Sequence, residues 1–402
     1  MKNVHNVTPH IYWVGGSDRR LALFENMFPL ENGVTYNSYL IMDEKVTLVD
    51  TVDASITRQF FENLEAVLDG RSIDYMIVNH MEPDHCANID EICRRWPDVK
   101  IVGNAKTFQL IQKFYHMDLA GRTIEVKEGD TLSTGQHNLQ FIMAPMVHWP
   151  EVMLTYETTE NVLFSADAFG TFGGYNGNLF SDDMDYQELY LEESRRYYTN
   201  IVGKFGPQVL AALKKLSGAS PSVICPLHGP LVRGETIPFL IEKYTKWASY
   251  EPEKRGVLLA YASIYGNTET AVHRLAGLLS LKGVKDIRMY DVSKTHYSSI
   301  IAEVFNYSHL VLASPTYNMH LYNAMDALVR DMAALNIQNR DIAIIGNGAW
   351  SPTAHTIMQK MMAEMKDMRL IAEPLVLNAT LAPQQLPELD ALADKIAASV
   401  LG

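Results

Sequence analysis

Short apolar runs bounded by turn formers recur through the first half of the chain, at residues 46–49, 76–78, 101–102, 141–143, 162–164 and 222–225. Runs this short, rich in Val, Ile and Phe, predict buried β-strands. Between them, residues 54–68 and 187–205 carry apolar positions at helical spacing and predict helices. Beyond a charged stretch with Pro and Gly, Tyr250-Glu251-Pro252-Glu253-Lys254-Arg255-Gly256, the pattern becomes regular. Strand-like runs at 257–262, 286–292, 309–314, 341–346 and 370–377 alternate with helical segments. That β-α-β-α-β order predicts a doubly wound parallel sheet. A chain of 402 residues exceeds one ordinary core, so two domains are expected, 1–252 and 253–402. The elements of the first suit an α/β helix–sheet–sheet–helix sandwich, although propensity alone does not separate that arrangement from other α/β folds.

Composition narrows the partners. A formal net charge of −13 argues against nucleic acid, whose phosphates call for a basic face. Cys86, Cys93 and Cys225 form no C-x-x-C pair and no even disulfide framework, and they read as small buried hydrophobes. Met1-Lys2-Asn3-Val4-His5-Asn6 opens no apolar signal segment, and no run reaches the length of a membrane span. A soluble, cytoplasmic protein with no membrane partner is expected.

The chemistry concentrates at His80-Met81-Glu82-Pro83-Asp84-His85, directly after the strand-like run 76–78. Burying two carboxylates and two imidazoles side by side is costly unless a cation neutralises them. Pro83 biases Glu82 away from the helical region, which predicts an extended loop aiming several side chains inward. Three more candidate ligands, His148, Asp167 and His228, lie in apolar or Gly/Pro surroundings downstream. Taken singly, each reads first as a cap, a turn former or a core residue. Together with the cluster they make seven ligands, more than a single ion needs. The remaining histidines, among them His116, His137, His273, His320 and His355, read as solvated or structural. Tyr197 and Tyr198, on the helical stretch after Asp167, read first as core. The glycine-rich segment 169–177 permits close backbone approach to the cluster or serves a turn.

A second set of loops lies at three strand ends of the second half. Ser263-Ile264-Tyr265-Gly266-Asn267-Thr268 joins a strand to a helix start, where free N–H groups and the helix dipole favour an anion such as phosphate. No Gly-Lys-Ser/Thr is present, so it is not a nucleotide-triphosphate loop of the Walker type. Pro315-Thr316-Tyr317-Asn318 and Gly346-Asn347-Gly348-Ala349-Trp350 offer aromatic and backbone groups to a flat ring. Ligands of doubly wound sheets bind at such strand ends. Trp350 reads equally as a packed surface aromatic or as a ring stacked near that ligand.

These motifs carry a resemblance. His80-x-Glu82-x-Asp84-His85 resembles the metal motif of the metallo-β-lactamase fold. In that fold hydrolases carry His at the second position and flavodiiron proteins carry Glu. A carboxylate there is a hard anionic donor that shifts preference from zinc toward iron. The last 145 residues or so resemble flavodoxin, with an FMN-binding loop pattern. The resemblance implies that His80, Glu82 and His148 hold one iron, that Asp84, His85 and His228 hold the other, and that Asp167 bridges them. It implies FMN on the three loops, with Ser263 to Thr268 at the phosphate. The implied activity is reduction of dioxygen to water, of nitric oxide to nitrous oxide, or both, at a non-haem diiron site fed through FMN. It also implies a head-to-tail homodimer or a dimer of such dimers. With no C-x-x-C pair, no rubredoxin module is expected within the sequence. The electron donor would then be separate: rubredoxin, another redox protein, a reduced deazaflavin or a nicotinamide. The competing reading is a hydrolase of the metallo-β-lactamase fold with an accessory flavin domain.

Overall fold

The computed structural model describes residues 2–402. The chain divides into two compact units, Met1–Thr245 and Lys246–Gly402. The division falls within the helix Thr236–Ala248, a few residues before the charged stretch that marks the break in the sequence.

In the first unit a seven-stranded sheet runs in the order His5–Asn6, Ile11–Trp13, Tyr39–Ile41, Thr47–Val49, Tyr75–Ile77, Lys100–Gly103, Thr123–Glu125. A six-stranded sheet follows in the order Thr131–Ser133, Asn138–Met143, Met153–Glu157, Val162–Phe164, Val223–Cys225, Val232–Arg233. One apolar core joins their inner faces, with Tyr39, Val49, Ile77 and Val102 on one side and Phe141, Met153, Phe164 and Cys225 on the other. The Tyr39 and Phe164 rings meet across it at 5.2 Å. Helices such as Thr57–Leu68, which buries Phe60, Phe61, Leu64 and Leu68, cover the outer faces. Strands buried on both sides cannot show polar alternation, so Thr47–Val49 and Val162–Phe164 appear in the sequence as plain apolar runs.

In the second unit five parallel strands lie in the order Ile287–Asp291, Lys254–Tyr261, Tyr307–Tyr317, Arg340–Asn347, Met368–Leu370. Helices Asn267–Leu281 and Leu386–Leu401 pack Leu275, Leu279, Leu389 and Ile396 onto Leu259, Val311 and Ile345. This is the flavodoxin-like strand order, whose ligand crevice lies at the carboxyl ends of the central strands.

Two element expectations need correction. The run 370–377 is not one strand: it splits into the end of Met368–Leu370 and Leu375–Leu377, both paired to Arg340–Asn347. Pro374 lies in the gap, lacks a backbone donor and restricts Glu373 before it. The helix expected over 187–205 runs as α-helix only from Tyr186 to Tyr197. It widens into a π turn over Tyr198–Val202 and tightens again at Gly203–Phe205. Such π turns inside helices frequently lie at functional sites.

Candidate functional site

Asp50 sets the start of the cluster. Its Oδ1 accepts the backbone N–H of Asn79 at 2.7 Å and of His80 at 3.2 Å, while Oδ2 accepts the Asn79 amide at 2.9 Å. The chain beyond the strand Tyr75–Ile77 is thereby held in one path. Glu82 is extended, as its place before proline demands, but the expected extended loop stops there. Pro83 opens a one-turn helix, Pro83–Cys86, because its fixed φ and missing N–H cost nothing at a first helical position. That turn brings Asp84 and His85 round beside His80 and Glu82.

The other three ligands arrive from the carboxyl ends of strands. His148 follows Asn138–Met143, Asp167 follows Val162–Phe164, and His228 follows Val223–Cys225. Gly229, at φ 80°, lies against Thr171, where a Cβ would collide with the side chain. This close packing needs a residue without a side chain next to His228.

The seven side chains fall into two sets. In one, Glu82 Oε2 lies 3.2 Å from His80 Nε2 and 3.0 Å from His148 Nε2. In the other, Asp84 Oδ2 lies 3.4 Å from His85 Nε2 and 3.3 Å from His228 Nε2, and the two imidazole nitrogens are 3.0 Å apart. Asp167 serves both. Its Oδ2 is 3.3 Å from His80 Nε2 and 3.1 Å from His148 Nε2, whereas its Oδ1 is 3.2 Å from His85 Nε2.

The donor set fits a pair of cations. Both Asp84 oxygens and Asp167 Oδ1 are buried without a hydrogen-bond partner, a costly state for carboxylates, and Asp84 Oδ2 and Asp167 Oδ1 face imidazole nitrogens. Burial would by itself drive protons off His80, yet its pKa is raised, because the Asp167 charge and hydrogen bonds donated to Asp167, Glu151 and Glu82 outweigh burial. His148 is raised to about 9 in the same way, against burial, by Asp167 and Glu82. Burial opposes ionisation of Asp167 too, but His80 and His85 hold its pKa well down. A bound cation takes the place of those imidazole protons, so metal binding and proton release are linked here.

Sequence reasoning missed the residues that aim these ligands. Glu151 Oε1 lies 2.9 Å from His80 Nδ1 and also accepts the Met81 N–H at 2.9 Å. His228 Nδ1 donates to the Thr35 carbonyl at 2.7 Å. Both contacts occupy Nδ1 and leave Nε2 as the ligating nitrogen. Glu151, only three residues past His148, was the one such residue with a sequence signal. Glu25 had none. It sits in the turn between Leu23–Phe24 and Phe28–Pro29 at φ 50° and hydrogen-bonds Glu82. Burial, then the Glu82 charge, pushes its pKa up to about 8. With Leu21, Leu23, Phe24, Tyr36 and Asp84 it lines a cavity of about 380 Å³ over the cluster.

Tyr197 is buried, as expected of a core residue, and lies beside the cluster. Its ring is 5.4 Å from that of His228 and 5.1 Å from that of Phe172, and Gly170 lies against its edge. Its fully buried hydroxyl has no hydrogen-bond partner among the described residues. Burial, then the charges of Asp167, Asp84 and Glu82, keeps that hydroxyl protonated.

In the second unit the three expected loops all leave the carboxyl ends of neighbouring strands, Lys254–Tyr261, Tyr307–Tyr317 and Arg340–Asn347. Ser263 Oγ accepts the N–H of Gly266 at 3.1 Å and of Glu269 at 3.2 Å, and Gly266 takes φ 87° ahead of the helix beginning at Asn267. Thr268 Oγ1 accepts the Asn347 amide at 3.1 Å, which ties the first loop to the third. Thr316 Oγ1 accepts the N–H of Thr353 at 2.9 Å and of Ala354 at 3.1 Å, which ties the second to the third. Pro315 is buried and Asn318 takes φ 48°. Gly346 packs against His355 and Gly348 against Pro352. Ile264, Tyr265, Tyr317, Ala349 and Trp350 are exposed, Tyr265 at 91% and Trp350 at 79%, so Trp350 is not a packed surface aromatic.

A sandwich-type metal domain followed by a flavodoxin-type unit defines the class. A family model described as "ODP family beta lactamase" matches residues 34–229. The anaerobic nitric oxide reductase flavorubredoxin of Salmonella typhi is 32% identical over 391 residues, 96% of this chain and 79% of that protein. The nitric oxide reductase of Moorella thermoacetica is 31% identical over 372 residues, 92% of this chain and 91% of that one. Rubredoxin oxygen:oxidoreductase from Desulfovibrio gigas superposes with a TM-score of 0.94 at 27% identity, covering 99% of each chain. The flavodiiron protein of Giardia intestinalis shares the fold, with a TM-score of 0.94 at 22% identity over 100% of this chain and 97% of that one. The chain belongs to the flavodiiron protein family.

Proposed function

We propose that this chain is a flavodiiron oxidoreductase that reduces dioxygen to water, nitric oxide to nitrous oxide, or both. The observation that carries the reading is Asp167, whose two oxygens face two separate His and carboxylate sets. In this reading residues 1–252 form the metal domain, where His80, Glu82 and His148 hold one iron, Asp84, His85 and His228 the other, and Asp167 both. Residues 253–402 hold FMN: Ser263, Ile264, Tyr265, Gly266, Asn267 and Thr268 surround its phosphate, and Pro315 to Asn318 with Gly346, Gly348, Ala349 and Trp350 border its ring. When bound, the irons bind and reduce the gas while FMN passes on electrons from a donor.

The protein's own groups orient the ligands, limit water and offer a hydrogen-bond donor. Leu21, Leu23 and Phe24 give the cavity an apolar wall suited to small neutral gases. The Tyr197 hydroxyl is placed to donate a hydrogen bond to substrate held at the centre. No protein nucleophile is called for. The hydrolase reading is disfavoured by Glu82 and by the three loops of the second unit.

Among the described residues no helix is long and apolar enough to cross a membrane. The reading is of a cytoplasmic enzyme, a head-to-tail homodimer or a dimer of such dimers, fed by rubredoxin, another redox protein or a reduced deazaflavin. Anaerobically purified protein should carry one FMN and two irons per chain and consume one or both gases with such a donor. Iron at or below one per chain after growth in iron-replete medium would sink the two-metal reading.

A further inference from the structure

Three side chains from three different turns meet at the opposite end of the strands that deliver His148 and Asp167. His137 immediately precedes Asn138–Met143, and Glu160 lies just before Val162–Phe164. His10 joins them from the turn before Ile11–Trp13. The six-residue strand Asn138–Met143 puts about 20 Å between this cluster and the first centre. One potential ligand atom from each of His10, His137 and Glu160 lies within 4.8 Å of the other two.

The cluster is built rather than incidental. His137 is buried, and its Nδ1 lies 3.2 Å from Oε1 of the fully buried Glu157, close enough to pair though off the line of a straight hydrogen bond. That carboxylate is itself fixed by the N–H groups of Thr159 at 2.7 Å and Glu160 at 2.6 Å. A carboxylate on one imidazole nitrogen leaves the other as the more basic donor, the arrangement that supports metal-ligating histidines. Backbone contacts hold the ligands in place: Asp43 Oδ2 accepts the His137 N–H at 2.8 Å, and the His10 carbonyl accepts the Met42 N–H at 2.9 Å. Thr8 Oγ donates to Glu160 Oε2, and Glu160 Oε1 lies 3.0 Å from His10 Nδ1. Two ligands on one tetrahedral ion with bonds of about 2.0–2.1 Å lie about 3.3 Å apart, so this pair needs little movement to share one.

We propose that His10, His137 and Glu160 form a second metal site, separate from the first centre, for a divalent transition ion of the zinc class. Two borderline imidazoles with a single carboxylate make a ligand set that zinc takes, with a fourth position left open. His10 is half exposed, so a fourth position opens to water. The hard three-carboxylate set of the first centre favours a different ion, and the two sites can be loaded independently.

The test uses the holoprotein with FMN and iron in place, dialysed against graded zinc sulfate, with bound zinc and iron counted together by mass spectrometry. One zinc per chain should bind while iron content stays constant. His10→Ala and Glu160→Gln, both at solvent-reachable positions, should each weaken zinc binding about tenfold or more. Cobalt(II) offered in place of zinc should give a visible absorption band that the same variants lose. The proposal is overturned if His10→Ala binds zinc as well as the parent, or if zinc enters only as iron leaves. Either result would make His10 and Glu160 a plain surface ion pair.

Discussion

Glu151 Oε1 and His80 Nδ1 lie 2.9 Å apart with both side chains fully inaccessible to solvent. Glu151 touches no candidate iron site directly, yet it sets which nitrogen of His80 faces the centre and how basic that nitrogen is. Glu151→Gln keeps the shape and removes the charge. Iron should then be lost to a chelator at about 10- to 100-fold lower concentration, with flavin content unchanged. Chelator titration followed by iron counting reads this directly, and equal iron retention in both proteins would show that His80 needs no such partner.

His148 reaches Glu82 and Asp167 at 3.0 and 3.1 Å, while the flavin-type loops belong to the other compact unit. His148→Asn should lower iron occupancy and abolish turnover while FMN stays bound. The visible flavin spectrum and iron content of one preparation decide it. Loss of both together would mean that the two units do not load independently.

Glu82→His restores the hydrolase pattern His-x-His-x-Asp-His and removes one anionic oxygen from between His80 and His148. A softer, less anionic donor set suits zinc better and stabilises ferric iron less well. In medium containing both metals the variant should gain zinc at the expense of iron and lose gas reduction, while still accepting electrons at FMN. Hydrolysis should not appear, since the surrounding pocket is unchanged. Normal iron content with near-normal turnover would remove Glu82 as the metal-selecting residue.

Asp43 gives a pH prediction away from the first centre. Burial alone would raise its pKa, but N–H and O–H donors from His137 and Thr134, with others nearby, bring it down to about 2 from 3.8. A carboxylate depressed in the folded state stabilises the fold above its unfolded pKa and loses that contribution as pH falls through the folded value. The parent should therefore lose this stabilisation between about pH 4 and pH 2, and Asp43→Asn should lack that part of the acid limb. Denaturant midpoints at neutral pH and at about pH 3 check the sign, because the gap between the two proteins must shrink as pH falls. A gap that widens would contradict it.

Much of this site is legible in the sequence because its chemistry is local. His80 to His85 lie on six consecutive positions, and their cost in a buried setting announces a cation before any coordinates are known. The alternation of strands and helices after residue 256 is equally local, and it leads to the parallel sheet and to the three loops at its strand ends. What needed tertiary structure depends on residues far apart in sequence. The division of Asp167 between two ligand sets depends on turns far from it in the sequence on either side, since His80 and His228 arrive on different sheets. The hold of Glu151 on His80, the approach of Glu25 to Glu82, and the meeting of His10, His137 and Glu160 are likewise set by strand pairing. Even the one-turn helix at Pro83 was ambiguous locally, because proline's φ suits an extended segment and a helix start alike, and only the packing of Asp84 and His85 against the other ligands chose between them.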